Sequence, residues 1–163
     1  MKSLRHLLPV LTLFAAASAF SQNDARSIIQ LNYDKISRLS IKKDKVNLER
    51  VIRKNASSEF TYIDSMKNEL DLSATVRQNT EQIERVHKFI SDTNKIVGVK
   101  AKGYDLVCTI QTSYDVFLDA AGKDRIKGVS ISQDTWTKTL TGWKIKRSVV
   151  MKESTTQNGK PVG

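Results

Sequence analysis

Asp64 and Asp134 are the residues of this sequence with the strongest claim to chemistry. Asp64 closes the alternating stretch EFTYID, and Asp134 precedes Trp136 by two residues in SQDTWTK. Two carboxylates suit proton abstraction beside a carbonyl. One must come within hydrogen-bond reach of the carbon acid. A donor must also aim at the oxygen that gains charge. An apolar cavity that keeps a second carboxyl neutral turns it into such a donor. The structural alternative is that aspartates at strand ends and beside hairpins bond nearby backbone donors.

Other chemistries find less support. Behind the N-terminal stretch, His87 is the one histidine, and zinc needs three or four ligands at suitable spacing. No Gly-rich phosphate loop and no defensible Ser–His–Asp set occurs. No cofactor or metal is therefore expected. Cys108 lies in LVCTI and reads as a small buried hydrophobe. Asn55-Ala56-Ser57 matches the glycosylation sequon, a match frequent by chance. Tyr62, Gln111 and Tyr114 fall on strand-like stretches, where they either line a pocket or serve as ordinary sheet residues.

The elements that must position these residues follow from periodicity. Asp24 reads as an N-cap, and Ile28, Ile29, Tyr33, Ile36 and Leu39 recur at helical spacing to about residue 42. Asp44 caps a second, short helix with Val51 and Ile52 on one face and Asn55 as a left-handed stop. Residues 59–64 form a short strand, and SMKNEL a loop. Asp71 caps a third helix whose stripe, Val76, Ile83, Val86, Phe89 and Ile90, carries it to about residue 92. The period then changes to two. Val97, Val99 and Ala101 alternate before Gly103, and Leu106, Cys108 and Ile110 alternate after it. AAGKD and LTG are turns between the remaining strands, the last being WKIKRSVVM. Helices segregated from an antiparallel meander define an α+β domain. Trp136 and Trp143, on one hairpin, read as core-covering side chains.

The N-terminal residues must be set apart from the domain. MKSLRH followed by the uncharged run Leu7–Phe20 reads as a secretory signal peptide over residues 1–21, too short to span a membrane. Export to the periplasm or the medium is expected, with residues 22–152 as one domain and 153–163 as a flexible polar tail. The whole chain carries 27 Lys and Arg against 17 Asp and Glu, a net charge of +10. Its basic residues are dispersed apart from KKDK at 42–45 and KIKR at 144–147. Dispersed charge reads as solubility first; attachment to an anionic envelope surface is the alternative. No nucleic-acid partner is expected.

The element order, the short TYID strand and the closing DTW…GWKIKRS hairpin resemble the nuclear transport factor 2-like superfamily, nearest its SnoaL-like exported branch. The resemblance covers roughly residues 24 to 152 and rests on Asp134, Trp136, Gly142, Trp143, Lys144 and Arg147. It implies a cone: three helices on a curved, mainly antiparallel sheet, with an apolar pocket at the open end. It also implies homodimers across the outer sheet face. Asp64 takes a position similar to the general base of the ketosteroid isomerases, and Asp134 that of their protonated oxyanion donor. Their second donor, a tyrosine of the first helix, corresponds to a place near Ile36, with Tyr33 one turn earlier. The expectation is a non-catalytic module that binds a small apolar ligand or associates with protein. Its pocket lies near Tyr33, Tyr62, Gln111 and Trp136, and Trp136 is a candidate plug. The alternative is an isomerase, cyclase or dehydratase using Asp64 and Asp134. Fold alone does not decide between them.

Overall fold

The computed structural model describes the backbone of residues 8–162 and the side chains of residues 22–162. The expected leader, residues 1–21, lies outside the described side chains. The first helix, α1 (Leu8–Ile41), runs through Asp24, which therefore caps nothing. The Leu- and Ala-rich stretch before Asp24 is itself composed of good helix formers. Ala25, Ile29 and Tyr33 are buried at successive four-residue steps, and Ser37 and Ser40 extend that buried face. Among the described residues, no helix is long and apolar enough to cross a membrane.

Asp44 caps α2 (Lys45–Asn55) by accepting from Asn47 N at 3.1 Å. Asn55 is not the left-handed stop expected of it. Ala56 is already extended, because the chain passes directly into β1 (Ala56–Ile63). The Asn55 Nδ2 atom is buried without a partner, so this fold does not present the sequon nitrogen for modification. The loop expected at 65–70 ends in a short strand, β2 (Glu69–Asp71), paired with β1. Asp71 caps α3 (Leu72–Arg85) through Ala74 N at 2.7 Å.

α3 stops at Arg85, not near residue 92. Val86 is extended, and β3 (Lys88–Lys102) takes Phe89 and Ile90. The apolar spacing there fits either period. Pairing along β4 (Asp105–Phe117) decides it, starting with His87 N to Phe117 O at 2.8 Å.

β5 (Arg125–Thr139) and β6 (Gly142–Gln157) complete the meander. Residues 153–162, expected as a frayed tail, extend β6 and turn back as β7 (Lys160–Val162). The turn is Asn158-Gly159, both at positive φ, which a two-residue hairpin requires. The sheet order is β2-β1-β6-β5-β4-β3, with β1 parallel to β6 and the other pairs antiparallel. The architecture is thus α+β, three helices on a mixed, mostly antiparallel sheet.

The core joins α1 to the sheet through Ala25, Ile29 and Tyr33 against Ile96, Leu106, Cys108, Ile110 and Trp136. Cys108 is fully buried, which pushes its thiol up to about 12. β3 has no strand beyond it, and α1 covers that exposed backbone. Gln30 accepts from Ile96 N and donates to Asn94 O, while Arg26 donates to Ile96 O at 2.9 Å. Covering edge backbone in this way blocks strand pairing at Asn94 and Ile96. Both basic runs also have internal work. Lys43 donates to Val86 O at the end of α3, and Lys144 donates to Lys54 O at the end of α2. Cations placed there complement the helix dipole.

Candidate functional site

A cavity of about 540 Å³ lies between the helices and the sheet. Strand alternation explains its lining. On β5, Ser130, Ser132 and Asp134 face it, and on β4, Ile110, Thr112 and Tyr114 do. Successive strand residues point to opposite faces, so these sets recur every second position. The register stacks them into rows. Cys108, Asp134 and Ser148 form one row, with Tyr62 beside Ser148; Ile110, Ser132 and Val150 form the next. Asn94, Thr112 and Ser130 follow, then Asp92, Tyr114 and Gly128.

The Asp134 row holds a closed polar network. Asp134 is fully buried. Its Oδ2 accepts from the Tyr33 hydroxyl. Its Oδ1 accepts from Ser148 Oγ at 2.7 Å and Ser132 Oγ at 3.0 Å. Trp136 Nε1 donates to Tyr33 Oη at 3.3 Å, with the two rings edge to face at 5.8 Å. Burial pushes the Asp134 carboxyl up, while its three hydroxyl donors pull it down. Tyr33 is raised well above the usual phenol, by burial first and then by the adjacent Asp134. Every donor in the set has an acceptor, the condition under which a buried polar group is stabilising.

The sequence-based candidates divide. Tyr33 and Tyr62 line the cavity with Asp134, and Ile36 does too. Trp136 lies under Tyr33 in the core and does not line the cavity, so it is no plug. Gln111 is absent from the lining, since Ile110 and Thr112 on either side take the inward positions. Asp64 does not meet Asp134. It closes a turn, accepting from Asn68 N at 2.8 Å and Asn68 Nδ2 at 2.8 Å, and these bonds hold its carboxyl below the usual range. A strand-end aspartate has taken its local backbone role.

Asp92, which periodicity placed on a helix, lines the cavity instead. Burial raises its carboxyl to about 6, against a smaller lowering by the Ser40 hydroxyl. Between these rows, Asn94 Nδ2 donates to Ser37 Oγ at 2.8 Å, and Thr112 Oγ1 donates to Asn94 Oδ1 at 2.6 Å. Tyr114 lies across β5 at Gly128, where an added Cβ would sit 2.2 Å from the ring's Cζ. The glycine leaves room there for the ring. α3 adds Gln78, Asn79 and Gln82 to the wall. Among the described residues, no three His, Cys, Asp or Glu side chains converge to hold a metal ion.

Asp92 and Asp134 do not form a pair either. Their β4 partners, Tyr114 and Cys108, are six positions apart. At about 3.3 Å per residue that is roughly 20 Å along the strand. One reacting atom cannot contact both.

This combination of helices, sheet order and enclosed concave face defines the nuclear transport factor 2-like fold. A conserved protein from Planctomyces limnophilus superposes with a TM-score of 0.64 at 10% identity, over 88% of this chain and 99% of that one. A nuclear transport factor 2-like superfamily protein from Salmonella enterica Typhimurium gives 0.60 at 15% identity, over 79% and 91%. A nuclear transport factor 2-like protein from Cytophaga hutchinsonii gives 0.57 at 7% identity, over 77% and 95%. At these identities the likeness is one of fold. No protein-family model matches the sequence, and no curated protein matches it.

Proposed function

We propose that this protein is a non-catalytic module that binds a small, mainly apolar molecule in the concave cavity. The observation that carries this reading is the cavity itself. Its volume of about 540 Å³ falls within the range of small-molecule sites. Apolar side chains such as Ile110, Val116 and Val150 alternate with separate polar groups on its walls. Paired-aspartate catalysis finds less support, because Asp64 is bound into its own turn and Asp134 is satisfied by three protein hydroxyls. The leader-like N-terminus supports a place of action outside the cytoplasm. Asp134, Trp136, Gly142 and Trp143 support the SnoaL-like branch. Association through the outer sheet face is a second reading, favoured by exposed Val97 and Val129.

Tryptophan fluorescence of residues 22–163, titrated with 4-phenylbutan-1-ol, tests the first reading. Trp136 reports through its bond to cavity-lining Tyr33. Saturable binding is expected, and Ser130→Leu, which fills the wall, should weaken it at least tenfold. An unresponsive, folded protein, or equal binding by Ser130→Leu, contradicts the reading.

A further inference from the structure

Among the described residues, the charged side chains on the cavity wall are Arg85, Asp92, Asp134 and Glu153. Three of the four are acids, inside a chain whose net charge is +10. Asp134 is fully bonded within the protein, and Glu153 accepts from Ser65 Oγ at 2.9 Å at an exposed position. Asp92 differs from both. It is half-buried on the cavity wall, and no ion pair among the described residues reaches it. Arg85, though on the same wall, makes no ion pair with it. A half-buried carboxylate without a cation carries a desolvation cost, and a ligand cation offsets it.

We propose that the molecule bound in this cavity is an apolar amine, whose ammonium group pairs with Asp92 while its apolar body lies along the neighbouring Phe89 and Val116. The proposal rests on reading the cavity as a ligand site. The strongly basic surface repels free amines.

The pH dependence has a definite sign. An amine stays protonated between pH 5 and 8, whereas Asp92 ionises near 6. Affinity for the amine should rise from pH 5 to pH 7, by about tenfold, and then level off. Below pH 6, binding should release a proton from Asp92. The other titratable or charged groups on the wall are Tyr33 on α1, Tyr62 on β1, Arg85 on α3, Tyr114 on β4, Asp134 on β5 and Glu153 on β6. Ser40 of α1 is the neutral group in contact.

The experiment compares three probes with one skeleton: 4-phenylbutylamine, 4-phenylbutan-1-ol and 4-phenylbutanoate. Each is titrated calorimetrically into the wild type and Asp92→Asn at pH 7.5. The amine should bind wild type at least tenfold more tightly than the alcohol, and the carboxylate most weakly. Asp92→Asn should abolish the amine's advantage over the alcohol. Repeating the amine titration at pH 5.5, in two buffers of different ionisation enthalpy, should reveal proton release from the wild type. That measurement decides the matter even if Asp92→Asn does not fold. Equal binding of amine and alcohol, or an advantage that survives Asp92→Asn, overturns the amine assignment and leaves the cavity reading standing. Failure of all three probes to bind overturns both.

Discussion

The cavity has two carboxylate ends, and they differ in how their polar atoms are satisfied. At the Asp134 end, the protein supplies every partner: three hydroxyls to the carboxylate and an indole N–H to the tyrosine. At the Asp92 end, one serine hydroxyl faces a carboxylate that burial raises to about 6. A network closed on itself holds a fold in place, because removing one member leaves the others buried and unpaired. An incompletely paired group facing open volume leaves room for an external partner. Asp134, two residues before Trp136, has both carboxylate oxygens bonded within the protein, whereas Asp92 faces the cavity with no ion pair.

The largest effect should come from breaking the closed end. Asp134→Ala strands Tyr33, Ser132 and Ser148 and should cost roughly 3 kcal/mol of stability, read by urea unfolding. Asp134→Asn keeps an acceptor for both serines and should lose much less. Equal and small losses for both variants would show that the network is not structural.

Removing the acid at the open end should act in the opposite direction. Asp92 has a folded-state pKa near 6, above its ordinary value, so its neutral form favours folding and its ionised form opposes it. Its favourable contribution is present at low pH and is lost as pH rises through 6. Asp92→Asn should therefore match wild type near pH 4 and exceed it by about 2 kcal/mol at pH 8. Unfolding midpoints across that range measure the difference. A variant less stable than wild type at pH 8 would place an unrecognised cation beside Asp92.

Gly128→Ala should have the smallest effect on stability. The new Cβ would meet the Tyr114 ring at 2.2 Å, but the ring has open cavity to move into. About 1 kcal/mol should be lost. Ligand affinity should fall more clearly, because the displaced ring takes up cavity space. Unchanged affinity would remove Tyr114 from the binding surface.

The difference in legibility between the two ends has physical causes. Asp134 shares strand parity with Trp136, so alternation alone turns both inward. Tyr33 follows Ile29 by four residues on α1, one helical turn along the same buried face. Asp92 was hidden because Val86, Phe89 and Ile90 fit a helix stripe, and only pairing with β4 makes that stretch a strand. Gln111 lies outside the lining for a reason visible in the sequence, since Leu106, Cys108 and Ile110 set the inward parity of β4 and Gln111 has the other. The β6–β7 hairpin carried its signal in Asn158-Gly159, obscured by the polar composition around it. Asp64 followed the general rule for strand-end aspartates, and composition cannot distinguish that role from catalysis.

The most direct test of ligand binding in the cavity is methyl-resolved NMR of the domain titrated with 4-phenylbutan-1-ol. Ile110, Val116 and Val150 line the cavity, whereas Val97 and Val129 are exposed outside its lining. The account predicts saturable shifts of the first three methyl sets and stationary signals from Val97 and Val129. Shifts confined to Val97 and Val129, or none at all in a folded protein, would contradict it.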